Sequence, residues 1–390
     1  MAMVQPDLAS RVADYARTFH DVIGYEHHVA SPLSAWLLLA LCAPAASGDD
    51  AATLARVLGG GPDEVAGLAA ALLTEPHPLV AAAAGVWNKA QAADSRWLDG
   101  LPAAVARGAI PSPPELDAWA REHTFGLIER FPLRVTGQVH LLLATALATK
   151  VSWDCPFELA PATALGPTSI WPQKLAQVLK SPEHPSHSAF ISTTARAGDV
   201  AMHVAAARGG LLVASLIARP QVAPSEVLAA AHELAIAIAT GSPPPRRSLF
   251  DLPLGDGPLW TISEEPAGGG ARERCRAVLP AWTATDRYEL DDPRLGFGAA
   301  AKALGGGDPW QAAQAATATY SRTGFEAAAV TAVAIAMAMY SRSGQRRVAE
   351  LRFGHPYAVV AVTSDPSGGP WQGVPVFSAW ITEPVNAGDK

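Results

Sequence analysis

A chain of 390 residues that is 49% hydrophobic and 17% charged can bury a large core and is not disordered. With a formal net charge of −7 and no basic cluster beyond Arg246-Arg247 and the run from Arg342 to Arg347, it does not read as a nucleic-acid binder. Its three cysteines (Cys42, Cys155, Cys275) are odd in number and scattered, which excludes a disulfide framework and suits buried structural thiols.

The first residues lack the charged-then-apolar pattern of a secretory signal, so a cytoplasmic protein is expected. Asp7 is placed to cap a helix whose Leu8, Val12, Tyr15, Phe19, Val22 and Ile23 share one face, ending near Gly24. Ser31 caps a second helix and Pro32 takes its first position. Ala35 to Cys42 is apolar on all sides, so this helix is central. A short helix from Asp50 stops at Gly59-Gly60-Gly61, and Pro62 starts another through Leu73. Val80 to Trp87 is expected as a strand and Pro114 to Phe131 as a helix. Val139 to Trp153, apolar and unbroken, reads as a central strand buried on both faces. Val200 to Ala218 reads as two strands joined at Arg208-Gly209-Gly210. Ser225 is expected to cap a helix through Ala239, and Ser242 to Ser248 to form a loop. Leu254 to Gly270 fits no neighbouring pattern and reads as an insertion. No internal repeat appears, and the Pro-rich stretches sit inside the fold, so a single domain over residues 1–390 is expected.

Phe325 to Tyr340 is the most unusual stretch. After Glu326 come fourteen uncharged residues, half of them Ala, with neither Gly nor Pro. The run is too short for a bilayer, which needs roughly 20 residues as helix. Ala packs poorly on a pleated surface, so a fixed core strand is disfavoured. At period two, Phe325, Ala327, Ala329, Thr331, Val333 and Ile335 share one face, and Glu326, Ala328, Val330, Ala332, Ala334 and Ala336 the other. Small side chains on both faces suit a strand that slides between two others.

Gly324-Phe325-Glu326-Ala327-Ala328-Ala329-Val330-Thr331 resembles the hinge of a serpin reactive-centre loop, usually Gly-Thr-Glu-Ala-Ala-Ala-Ala-Thr. Six further segments match that family in order. Ser31-Pro32-Leu33-Ser34 resembles the start of its buried helix, and Trp119, Thr124, Gly126 and Ile128 its Trp…Thr-x-Gly-x-Ile helix. Lys150, Trp153, Pro156 and Phe157 match the end of its central strand. Val278-Leu279-Pro280 with Tyr288-Glu289-Leu290, then Phe353 to Tyr357, then Phe377 to Pro384, resemble its later strands. With Phe325 after the hinge Gly, the Ala-rich variant resembles intracellular serpin-like proteins of high-GC bacteria.

The resemblance implies an α+β fold with a large mixed sheet, and an exposed reactive-centre loop at about 324–348. It also implies protease inhibition by suicide-substrate trapping, with loop insertion as the driving step. Counting fourteen positions from the hinge Gly puts the scissile residue at Ala338, followed by Met339, which suits an elastase- or subtilisin-like protease. Arg342, Arg346 and Arg347 are the alternative bait, for a trypsin-like enzyme. Ser31, Ser34, Thr145 and Gln314 fall at the shutter and Trp153 at the breach. The family's shutter Asn and His are Thr145 and Gln314 here, and the Gly after the central-strand Lys is Val151. Its hinge Glu and that residue's Lys partner are Arg322 and Ala281, so both halves of one salt bridge are absent together. Phe325 occupies the first inserting position, where an overpacking cost of about 1–3 kcal/mol is expected. Two alternatives to inhibition stand: a non-inhibitory serpin fold used for binding, and a serpin scaffold recruited into small-molecule chemistry.

Other chemistry finds no support. No Gly-x-Ser-x-Gly occurs, so an enzyme is not expected. Glu183, His184 and His187, and the adjacent His27 and His28, lack metal-ligand spacing and read as exposed loop residues, so no metal is expected. The two Gly triplets follow helical patterns and read as helix stops, and no cofactor is expected. Neither nucleic acid nor membrane is an expected partner.

Overall fold

The computed structural model describes residues 7–88, 95–131, 139–171, 173–267, 271–305, 310–325, 344–365 and 367–388. It divides into two compact units. The first gathers the described residues of 1–150, 284–317 and 363–378, and the second those of 151–283, 318–362 and 379–390.

In the first unit, helix α1 (Leu8–Ile23) starts where the Asp7 carboxylate accepts the Ser10 N–H at 2.9 Å, and it ends at Gly24. Helix α2 (Pro32–Cys42) opens with Ser31 as cap and Pro32 at its first position, and every one of its residues is buried. Its lack of a polar face is what a helix enclosed on all sides requires. Helix α3 (Gly48–Leu58) begins after Ser47 and stops at left-handed Gly59. Helix α4 runs Pro62–Thr74. The helix expected to reach Phe131 covers only Pro113–Glu122, because Phe125 (φ 53°) and Gly126 (φ 78°) turn the chain into left-handed backbone.

The central strand Leu141–Thr149 is buried at every position and pairs antiparallel with Val80–Asn88, from Val80 opposite Thr149 to Asn88 opposite Leu141. Val105–Gly108 lies parallel beyond it. On the central strand's other edge, Trp310 to Ala313 of the strand Trp310–Tyr320 pair in parallel with Leu141 to Ala144. The expected single strand to Trp153 is interrupted at exposed Lys150 and resumes as Val151–Ser152.

In the second unit, Gly198–Ala207 and Leu211–Ala218 form the expected hairpin, with Gly209 and Gly210 both at φ 92° in the turn. The helix Pro224–Ala239 has Ala223 at its cap position and Pro224 first. The expected capping by Ser225 gives way because Pro224 lacks an N–H and fits the first turn. A six-stranded sheet runs in the order Gly255–Asp256, Trp260–Ala267, Gly344–Arg352, Glu273–Leu279, Gln177–Lys180, Glu158–Pro161. The segment expected as an insertion thus supplies two strands. Trp260–Ala267 pairs with Gly344–Arg352 over eight residue pairs, and Glu273–Leu279 pairs with that same strand from its other side. Among the described residues no helix is long and apolar enough to cross a membrane.

Two kinds of contact hold Trp260–Ala267 against Gly344–Arg352: buried apolar side chains such as Ile262 (2% exposed), and the ion pairs Arg346–Glu265 (3.4 Å) and Arg347–Glu264 (3.3 Å). Both glutamates are at least 31% exposed, and pairs of that kind contribute about 0–1 kcal/mol. Ile262→Ala is therefore expected to cost about 2–5 kcal/mol, and the double change Glu264→Gln/Glu265→Gln at most about 2 kcal/mol. Urea-unfolding midpoints of the two variants check the ranking.

Candidate functional site

Within the first unit the sequence-predicted residues Ser31, Ser34 and Gln314 come together around one buried amide. The Ser31 N–H donates to Gln314 Oε1 at 2.9 Å, and Gln314 Nε2 donates to the Ser31 carbonyl at 2.7 Å and to Ser34 Oγ at 2.8 Å. Ser31 Oγ donates to the Val376 carbonyl at 2.8 Å and Ser34 Oγ to the Ser31 carbonyl at 3.0 Å. Gln314 is 1% exposed, so these bonds are made away from water, and an amide carrying both donors and an acceptor suits the position. Thr145 is buried in the central strand, opposite Ala84.

Within the second unit, Gly324–Phe325 forms a short strand between two others. Phe325 pairs with Tyr320 on one side and Val151 on the other, and Gly324 pairs with Ser152, all antiparallel. Phe325 is 3% exposed. Its ring meets Trp282 edge-on at 6.1 Å, Trp282 stacks on Tyr320 at 6.0 Å, and Tyr320 meets Trp153 at 5.2 Å and Phe157 at 5.6 Å. Trp153 Nε1 donates to the Ser321 carbonyl at 3.0 Å, and its N–H to the Thr323 carbonyl at 3.1 Å. Arg322, where the resembling family has its hinge Glu, donates Nε to the Phe157 carbonyl at 3.1 Å. Phe325 thus lies in an aromatic bed. Sequence reading placed Trp153 here but missed Trp282 and Tyr320, which nothing in their local pattern marks.

Direct parallel pairing ends at Ala313 and Ala144. The hinge residues Glu326, Ala327, Ala328, Ala329, Val330 and Thr331, and the scissile candidates Ala338, Met339 and Arg342, lie outside the described residues. Arg346 is corrected: it sits inside the strand Gly344–Arg352, 13% exposed and paired with Glu265, so the expected exposed loop to Val348 gives way to a strand from Gly344. That strand forms because both its edges find backbone partners.

Two histidine networks were also missed. His187, half-buried, donates Nε2 to the Cys155 carbonyl at 2.7 Å, and its Nδ1 lies 3.2 Å from Nε2 of the fully buried His203. The carbonyl fixes the tautomer, so His187 Nδ1 accepts and His203 Nε2 donates. Phe157 packs edge-on to His187 at 4.7 Å. In the first unit, buried His28 donates Nδ1 to the Glu26 carbonyl at 2.9 Å and faces His20 Nδ1 at 2.8 Å, while His20 Nε2 meets Ser378 Oγ at 2.7 Å. His28 and His187 are therefore not the exposed loop residues expected. Glu183 is spent on Arg274 and Arg276: burial pushes its carboxyl up, but the two guanidinium groups outweigh that and hold it low. Among the described residues no group of three or more His, Cys, Asp or Glu could hold a metal ion.

No protein-family model matches the sequence, and no curated protein does either. Solved structures do match. The native state of tengpin, a thermophilic serpin, aligns at TM-score 0.67 with 15% identity, covering 96% of this chain and 94% of that one. The chain has the serpin fold. Serpin48 from the insect Tenebrio molitor aligns at TM-score 0.62 with 13% identity, covering 98% and 100% of the two chains. Human thyroxine-binding globulin in complex with its hormone aligns at 0.66 with 12% identity, covering 97% and 98%. At such identities the likeness concerns the fold alone.

The buried histidines set an acid limit. Burial pushes His28 down to about 4. Burial, then the neighbouring His187, puts His203 well below the usual histidine range, and burial also lowers His187. In the unfolded chain these rings take a proton near pH ~6.5. Below that value the unfolded state binds more protons than the folded state. Stability is therefore full above about pH 6.5 and is lost as the pH falls toward 4, by up to about 1.4 kcal/mol per pH unit for each ring. Unfolding free energies measured from about pH 7.5 to about pH 5 should show this slope, and His203→Phe should flatten it. A pH-independent free energy over that range would contradict the assignment.

Proposed function

We propose that this serpin-fold protein is a suicide-substrate inhibitor of a serine-type protease, baited by the segment between the hinge Gly324–Phe325 and the strand Gly344–Arg352. The observation that carries the reading is the register of Phe325. In the inserted form that this reading requires, the register of Phe325 on Tyr320 would carry Ala327 to Ala318, Ala329 to Ala316 and Thr331 to Gln314. These inner positions of the strand Trp310–Tyr320 are buried, and the residues arriving there are two Ala and one Thr. The Thr hydroxyl would arrive beside the polar group built on Gln314. Up to Thr331 no direct pair between Trp310–Ala313 and Leu141–Ala144 need break, and further insertion displaces those four pairs. New backbone pairing and apolar burial supply the driving force that cleavage releases.

The favoured scissile bond is Ala338–Met339, in reach of an elastase- or subtilisin-like pocket that takes small apolar side chains. Arg342 is the alternative for a trypsin-like enzyme. On the resemblance of its hinge, the protein acts in the cytoplasm of a high-GC bacterium. A non-inhibitory binding role is the second reading, and the prior seating of Phe325 favours it, since a hinge already housed has less left to gain.

Incubation with a subtilisin-like protease is expected to give a covalent adduct that survives denaturing electrophoresis. A C-terminal fragment starting at Met339 and a large rise in melting temperature of the cleaved protein should accompany it. Cleavage without adduct and without that rise supports the binding module instead.

The hinge variant has its own expectation. Phe325→Thr empties an aromatic pocket, so the uncleaved protein should lose about 3–5 kcal/mol, the range for truncating a buried aromatic. Chemical denaturation of the uncleaved variant measures it. A change below about 1 kcal/mol would mean that the ring is not seated as described.

A further inference from the structure

We infer that the first unit carries a binding site for a phosphorylated small molecule, in a cavity of about 520 Å³ that the inhibitor reading does not use. Its size falls in the range of small-ligand pockets, roughly 300–1,000 Å³. Three arginines line it from three separate elements: Arg11 from α1, Arg56 from the last turn of α3, and Arg294 from the turn Pro293–Leu295. Arg11 is 4% exposed and is held from behind by Glu64, whose carboxyl the Arg11 side chain keeps low. Arg294 is fixed by Asp292 through Nε at 3.0 Å and Nη2 at 2.8 Å. Arg56, exposed, donates to Thr53 Oγ1 at 3.3 Å and is matched with no carboxylate among the described ion pairs.

Three arginines around a cavity, two of them exposed, with Thr18 and Thr53 in its wall, offer donors suited to phosphate oxygens. Asp14 supplies the opposite chemistry in the same wall. A carboxylate repels phosphate but accepts from hydroxyl groups. A ligand with a phosphate at one end and hydroxyls at the other satisfies both, which points to a sugar phosphate or a similar phosphorylated polyol. The cavity lies entirely among residues of the first unit, so occupation needs no cleavage of the bait segment.

The test is calorimetric titration of the full chain with ribose 5-phosphate, and with inorganic pyrophosphate as a probe of the phosphate subsite alone. Saturable one-to-one binding of both is expected. Arg56→Gln and Arg294→Gln should each weaken it about tenfold, the scale of one lost charge-assisted hydrogen bond. Arg196→Gln, in the second unit, controls for general charge attraction and should leave affinity unchanged. Asp14→Asn should weaken ribose 5-phosphate but strengthen pyrophosphate. Melting curves of the variants establish that they fold, since Arg56 and Arg294 are surface side chains. No saturable binding overturns the proposal, and so does an equal loss in Arg196→Gln. Pyrophosphate binding without ribose 5-phosphate binding overturns the assignment to a phosphorylated polyol.

Discussion

A parallel pair of strands that zips for four residues and then stops is the constraint on which the rest depends. From Trp310 to Ala313 the backbone groups are satisfied by Leu141 to Ala144. Beyond them the facing edges have no direct ladder. The other edge of the central strand is taken by Val80–Asn88. Gly324–Phe325, paired on both sides, is extended and antiparallel, with one ring that has a pocket of its own.

The ring of Phe325 is matched to the aromatic side chains around it. Opposite Tyr320, a Thr would leave Trp282 without its edge contact, whereas Phe completes a run of rings from Trp153 through Tyr320 and Trp282. Aromatic contacts of this geometry contribute about 0.5–1.5 kcal/mol each beyond area burial. The bed therefore holds Phe325 in place. Next to it, Arg322 turns its guanidinium to the Phe157 carbonyl.

Most helices and the central strand were legible because their signals are local. Asp7, Ser31 and Gly59 are caps and stops, and an eleven-residue helix without a polar face has to be interior. The fold itself was legible through ordered motifs, of which Ser31, Ser34 and Trp153 proved to be hydrogen-bonded as well as buried. What failed depends on contacts distant in sequence. Leu254 to Gly270 looked like an insertion because a strand on the flank of Gly344–Arg352 has no signature until its partner is known. His28 and His187 looked like loop residues because nothing nearby in sequence announces the carbonyls of Glu26 and Cys155 that fix their tautomers. Arg346 looked like bait because an arginine after a flexible run reads as exposed, until Glu265 and the strand Trp260–Ala267 cover it.

Enclosure of Gly344–Arg352 makes that strand a firm anchor in its sheet. Eight pairs run along one of its edges and six along the second. Arg347 adds bonds to the Leu249 and Leu252 carbonyls at 2.8 and 2.9 Å, and buried Arg352 reaches Asp256 and the Gly257 carbonyl. Backbone ladders with buried neighbours are lost cooperatively, so release of Gly344–Arg352 demands opening a sheet.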